Sequence, residues 1–241
     1  MNKLILGYGL LGSELVKKTG WDYISRKKDG FNITDKKTFH HMLETFDGIA
    51  QRCPYDVIVN AVGCTDTYSK ERKKHWNVNY KGVVDLVDFC NDWRIKLVHI
   101  STDFIYANSK SNVSENDVPV HCENWYGYTK LLGDGYVQLK SDNFLLLRGT
   151  HKEEPFPFEE GLINQIGNHD YVDKISDIII KLIEGDANGI YNVGTELKTT
   201  YDLAKRTKDD VIPVNKTFYS SQPVDVSMDL SKLKTWEKFK K

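Results

Sequence analysis

The most confining stretch of this chain is its beginning. Leu4 to Leu6 form an apolar run that enters Gly7-Tyr8-Gly9-Leu10-Leu11-Gly12, and Leu11, Leu15 and Val16 then recur at helical spacing. A strand that stops at a glycine-rich turn and resumes as a helix is the first half of a β-α-β unit. The same grammar repeats downstream. Apolar runs at Ile24, Val57 to Val59, Leu97 to Ile100 and Phe144 to Leu147 read as buried parallel strands, while Val83, Leu86, Val87 and Cys90 lay one apolar stripe along an intervening helix. Such alternation predicts an α/β fold, a Rossmann-like doubly wound parallel sheet.

Length and charge narrow what such a fold can serve. With 241 residues the chain fits one α/β body, and a change of composition near Thr150 marks a soft boundary between a core over 1–150 and a small, shortened lobe over 151–241 integrated with it. Beyond that boundary a helix around Ile175 to Ile183, a strand at Gly189 to Val193 and a helix from Thr200 are expected. The 33 basic and 34 acidic side chains leave a net charge of -1, which gives no field to recruit nucleic acid or an anionic membrane. A small-molecule partner fits better. The first apolar run is too short for a signal peptide, so a cytoplasmic location is expected. Cys53, Cys64, Cys90 and Cys122 form no CxxC pair, and His40, His41, His75, His99, His121, His151 and His169 have no ligand spacing, so no metal is expected. Glu153, Glu154, Glu159 and Glu160 read as solvated loop residues. Phe156 and Phe158 read either as a lid or as core plugs.

The three glycines suit separate physical tasks: a tight turn at Gly7, close approach of a pyrophosphate at Gly9, and close helix packing at Gly12. With the backbone of Leu10 and Leu11 they form an anion-facing helix start, which points to a dinucleotide cofactor. The second strand ends near Ser25, where an acidic residue would bind ribose hydroxyls. Here Arg26, Lys27 and Lys28 stand instead, and a guanidinium pairs with a 2′-phosphate. NADP(H) is therefore the expected cofactor, with NAD(H) kept open by the nearby Asp29.

After the fourth strand the chain reads Ser101-Thr102-Asp103, and further on Tyr126 and Lys130 stand four apart on one helix face. An ammonium beside a phenol favours phenolate, so the pair is expected to lower the pKa of Tyr126 and let it exchange a proton with a carbonyl or alcohol oxygen. Thr102, at the carboxyl edge of the sheet, is positioned to bind the same oxygen. Tyr128 has no lysine four residues on and is expected to pack.

These residues together resemble the extended short-chain dehydrogenase/reductase superfamily, and within it the dTDP-4-dehydrorhamnose reductase family, over nearly the whole chain. The resemblance also rests on Asn60-Ala61-Val62-Gly63, on Asn77-Val78-Asn79, on Gly189 to Gly194 and on the closing stretch near Pro223. It implies Ala61 and Val62 near the cofactor, Asn60 and Asn79 supporting that side, Thr102 as the catalytic hydroxyl with Asp103 as helper, and Tyr126 and Lys130 as catalytic and cofactor-binding residues. It implies hydride transfer to the 4-keto group of a nucleotide-linked deoxysugar, with Arg148 a candidate for a substrate phosphate. The chain departs from the family after Arg148, where residues 149–168 are short and charged. Two other readings stand beside the reductase: an NAD-retaining sugar-nucleotide epimerase or dehydratase, and a non-catalytic dinucleotide-binding regulatory subunit. A homodimer is left open.

Overall fold

The apolar runs become strands because both their faces find a helix to bury against. The computed structural model describes residues 1–37, 45–46, 51–107, 111–117, 124–215 and 223–240, so His40, His41, His121 and Cys122 lie outside the described residues. Six strands, β1 (Lys3–Leu6), β2 (Asp22–Ile24), β3 (Val57–Asn60), β4 (Lys96–Ile100), β5 (Phe144–Arg148) and β6 (Gly189–Asn192), form one sheet in the order β2-β1-β3-β4-β5-β6. Every pairing in it is parallel. The strand order turns around between β1 and β3. In open parallel sheets that reversal opens a crevice beyond the carboxyl ends of the strands, and ligands enter there.

Among the described residues five helices cover the sheet: α1 (Leu10–Thr19), α2 (Gly82–Asp92), α3 (Trp125–Lys140), α4 (Val172–Glu184) and α5 (Ser231–Phe239). Successive strand residues point to opposite faces. Ile5, Val57, Val59, Val98, Leu145 and Leu147 thus meet Leu11 and Leu15 of α1 and Ile175, Ile179 and Leu182 of α4. Leu4, Leu6, Ile58, Leu97 and Leu146 meet Val83, Leu86, Val87 and Cys90 of α2 and Val137 of α3. Burying each such side chain contributes about 1.5–3 kcal/mol, and a one-residue slip in any strand would swap its two faces.

Helix α2 is entered through a short helix, Arg72–His75, and a π-helical turn, Trp76–Lys81. Helix α3 begins where Asn124 accepts a hydrogen bond from the Gly127 N–H at 2.8 Å. Beyond residue 150 the chain returns α4 and β6 to the sheet, then packs Trp236 of α5 on Gly185 and against the Tyr191 ring. Smaller pairings make the rest of this part: Ile166–Gly167 between Lys198–Thr199 and Asp225–Val226, Glu160–Leu162 with Ile212–Val214, and His151–Lys152 with Asp170–Tyr171. Phe156, Tyr171, Leu203, Ala204 and Val211 form a separate small core there.

Candidate active site

The glycine turn is shaped for a ligand rather than for packing. Gly7 takes a φ of +96°, a left-handed conformation that disfavours other residues. Its N–H donates to the Ile24 carbonyl at 2.9 Å, tying the turn to the end of β2. No heavy atom stands within 4 Å of where a Cβ on Gly9 would be. Gly9 is also the N-cap of α1, and no side chain caps that helix. The N–H groups of its first turn therefore face open space, with the positive end of the helix dipole behind them.

The crevice over this turn is a cavity of about 440 Å³. One wall carries Gly9, Leu10 and Leu11 with Ala61, Val62 and Gly63 from the end of β3. The cavity is lined as well by Ser101, Phe104, Tyr126 and Lys130 and by Thr150, His151, Lys152, Pro157 and Phe158. Two pieces of sequence separated by over a hundred residues, the glycine turn and the Tyr-Lys helix, thus share one cavity.

Asn60 and Asn79 are buried and outside the cavity lining. Asn60 accepts from the Val62 N–H at 3.1 Å and so sets the loop after β3. Asn79 accepts from the Cys64 N–H at 2.8 Å, and its amide reaches the Cys64 carbonyl and the Thr129 hydroxyl of α3. Arg26 stands exposed at the start of a helical turn, Arg26–Asp29, which Ser25 caps from β2. Asp29 accepts from the Ser25 N–H at 2.8 Å, so this carboxylate serves the turn. Lys28 lies over the Tyr23 ring, which stacks on Tyr8.

Around Tyr126 the electrostatics differ from the sequence expectation. Burial pushes the phenol up to about 12, and the neighbouring Thr102 hydroxyl pulls against that rise through a hydrogen bond. The Lys130 Nζ donates to the Ile100 carbonyl at 2.6 Å, and burial lowers it to about 8, with Asp134 acting in the other direction. The net shift of the phenol is thus upward, against the depression expected from its lysine, because burial is the largest influence on it. Thr102 is also more enclosed than expected, at 1% exposure. Its Oγ1 accepts from the Phe104 N–H and donates to Asp103, so it serves the phenol and the local turn. Asp103 is fully buried, accepts from the Thr150 hydroxyl at 2.5 Å, and is raised by burial to about 6.

Arg148 stands apart from the cavity. It is 1% exposed and donates to Asp134 at 3.1 Å and to the Tyr106 hydroxyl at 2.7 Å. The phosphate contact expected of it is corrected to a buried structural ion pair. Tyr128, expected to pack, is exposed instead, with an edge contact to the Trp125 ring. Phe156 and Phe158 divide the two roles read for them: Phe156 plugs the small core, and Phe158 faces the cavity. The sequence reading gave Thr150, His151 and Lys152 no place in the site. Their signal was position, just past the carboxyl end of β5. Among the described residues no group of three or more potential metal ligands gathers, and no helix is long and apolar enough to cross a membrane.

A parallel sheet whose glycine turn, strand-end Ser101 and Tyr-Lys helix line one crevice has the architecture of an NAD(P)-dependent oxidoreductase of the extended short-chain dehydrogenase/reductase type. Within that class the RmlD substrate binding domain family matches residues 1–151, and the chain belongs to it. It is 26% identical over 207 residues to the spore coat polysaccharide biosynthesis protein SpsK of Bacillus subtilis (strain 168), covering 77% of this chain and 70% of that protein. To the dTDP-4-dehydrorhamnose reductase of Aggregatibacter actinomycetemcomitans it is 24% identical over 226 residues, 84% of this chain and 74% of the other. Among solved structures, a hypothetical dTDP-4-dehydrorhamnose reductase from Sulfolobus tokodaii superposes with a TM-score of 0.78 at 24% identity, over 98% of this chain and 94% of that one. The dTDP-4-dehydrorhamnose reductase of Bacillus anthracis str. Ames, in complex with NADP, gives 0.79 at 22% identity, over 98% and 92%.

Proposed function

We propose that this protein is an NADP(H)-dependent reductase acting on the keto group of a nucleotide-linked deoxysugar. The observation that carries the reading is that Tyr126, the protonated phenol beside Thr102, opens into the same cavity as the bare N-terminus of α1 at Gly9. The relatives named above support the substrate class.

The chain fits the cofactor on its own geometry. The space above Gly9, which a Cβ would occupy, admits a pyrophosphate against the α1 N–H groups. Ala61 and Val62 are assigned to the adenosine side, and Arg26, in the exposed turn after β2, to a 2′-phosphate. When bound, the nicotinamide supplies hydride. Tyr126 donates its phenolic proton to the carbonyl oxygen as charge builds there, a step suited to a group that stays protonated at neutral pH. Thr102 holds the phenol in position. Lys130, in its ammonium form, pairs with the phenolate left behind. The segment between β5 and α4 forms the substrate side, with His151, Lys152 and Phe158 facing the sugar nucleotide. Asp103, tied to Thr102 and Thr150, fixes the floor beneath them.

The test is oxidation of NADPH, followed by absorbance, against a panel of 4-keto sugar nucleotides. Turnover of at least one, lost in Tyr126→Phe, is the expected result. Turnover that survives Tyr126→Phe undiminished would remove the catalytic assignment. Stoichiometric NAD retained through purification, with no net oxidation, would favour an internal epimerisation or dehydration instead.

A further inference from the structure

Two of the residues lining the cavity are lysines, Lys130 and Lys152, and none is an arginine. Lys130 is held by the Ile100 carbonyl at 2.6 Å. His151 brings no charge at neutral pH, since burial lowers its imidazole to about 4. Arg148, whose type suits a phosphate, is engaged inside the protein by Asp134 and the Tyr106 hydroxyl. Lys152 differs from all three. Among the described residues it donates no hydrogen bond and forms no ion pair.

The chain fixes the root of this side chain and leaves its head unclaimed. The strand His151–Lys152 pairs with Asp170–Tyr171, placing Lys152 opposite Tyr171. Four residues on, Phe156 is buried in the small core, and its N–H donates to the Thr207 hydroxyl at 3.0 Å. That anchor holds Phe158, whose ring centre lies 5.8 Å from the Lys152 Nζ, near the outer limit of a cation–π contact. Two carboxyl groups stand nearby. Asp103 acts on Lys152 through its charge and not through a hydrogen bond, and its Oδ1 is taken by Thr150. Glu153 lines the cavity and is exposed to solvent. Burial lowers the Lys152 amine, so this half-buried group is short of water as well as of partners. An anion brought to it would favour the ammonium.

We propose that Lys152 is a specificity-determining residue that binds the diphosphate of the substrate, in the same cavity as the α1 N–H groups that are left to the cofactor. The identity of the substrate rests on the function proposed above, whereas the anion site rests on the cavity alone. In a sugar nucleotide the diphosphate is attached across the sugar ring from a 4-keto group. Anchoring it at Lys152 therefore sets how the carbonyl meets Tyr126. Phe158, beside the ammonium, limits the water that competes for it.

The experiment is calorimetric titration of the NADPH-saturated whole protein with thymidine and uridine diphosphates, each compared with its nucleoside. Saturation with NADPH occupies the α1 N-terminus, so a second anion must bind elsewhere. At least one diphosphate is expected to bind about tenfold or more tightly than its nucleoside. In Lys152→Met that advantage should fall by about tenfold while nucleoside binding is kept, and Lys152→Arg should restore most of it. A merely structural role would weaken both ligands together. The inference is overturned if neither diphosphate binds better than its nucleoside, if folded Lys152→Met keeps the full advantage, or if that variant loses affinity for NADPH instead. Should Lys152→Met fail to fold, Lys152→Gln carries the same comparison. A diphosphate advantage that depends on Lys152, with no carbonyl turned over, would retire the proposed reaction and leave the anion site. Turnover of a 4-keto sugar nucleotide with an unchanged KM in Lys152→Met would do the reverse.

Discussion

The carbonyl oxygen of Gly7 lies 2.1 Å from the position a Cβ on Gly12 would take, so the first and last glycines of the turn are locked against each other. Gly9 between them faces nothing within 4 Å. The two kinds of glycine therefore fail differently. Gly12→Ala must push helix α1 off β1 and should lower the melting temperature by several degrees, as expected of an overpacked site costing about 1–3 kcal/mol. Gly9→Val should leave the melting temperature of the unliganded protein nearly unchanged and weaken NADPH binding by tenfold or more. Thermal unfolding beside a fluorescence titration separates them, and equal thermal losses in both would contradict the assignment.

Arg148 and Asp134 are a second locked pair, both side chains nearly inaccessible. Arg148→Ala leaves a buried carboxylate without its cation, and breaking such a pair costs about 3–5 kcal/mol. The double variant Arg148→Met, Asp134→Leu should be far less damaged than Arg148→Ala, because no buried charge remains. Denaturant unfolding at constant pH measures both. A mild effect of Arg148→Ala on stability, joined to a large loss of substrate affinity, would return Arg148 to the substrate site.

Asp103 predicts an acid-side slope. Burial raises its carboxyl to about 6 in the folded chain from an ordinary 3.8. Between these values the folded form keeps a proton that the unfolded form has released, so Asp103 makes stability fall as pH rises through that window. The loss is complete above pH 6 and amounts to at most about 3 kcal/mol. Asp103→Asn should therefore stabilise the protein at pH 7 and gain nothing at pH 3.5. Melting temperatures of the two proteins that run parallel from pH 3.5 to 7 would exclude it.

Arg26 predicts cofactor choice. It is exposed and belongs to no element of the core, so Arg26→Glu should fold normally. A charge-assisted hydrogen bond to a phosphate contributes about 1.5–3 kcal/mol, and its loss should reduce the preference for NADPH over NADH by about ten- to a hundredfold. Comparing Kd for both nucleotides in both proteins measures this. An unaltered ratio would leave the basic turn as a solvated corner.

Strands and helices could be read from the chain where both faces of an element are dry. Leu4 to Leu6, Val57 to Val59 and Phe144 to Leu147 are apolar without interruption because helices cover both sides, and that pattern survives without knowledge of the partners. The crevice was legible through Gly7, Gly9 and Gly12 and through the four-residue spacing of Tyr126 and Lys130. What sequence could not supply was the destination of each polar group. The spacing offers Lys130 to the Tyr126 phenol, yet in the folded chain it donates to the Ile100 carbonyl at 2.6 Å, a partner that no motif announces. Arg148 has the residue type for phosphate, yet Asp134 on α3 and the Tyr106 hydroxyl claim it inside the protein. His151 and Lys152 carry no motif at all, because a strand end becomes a cavity wall only through the segments that fold over it.

The sixth strand has a consequence for how the chain can be divided. Gly189 to Asn192 pairs with β5 along its length, and Ile175 and Ile179 of α4 cover Leu145 and Leu147. A fragment stopped after residue 150 would therefore expose an unpaired sheet edge beside a bare aliphatic surface, the combination from which intermolecular strand addition starts. On the ribosome, the amino-terminal part must wait for its covering to emerge, and expression of that part alone should give aggregates instead of a working nucleotide-binding module.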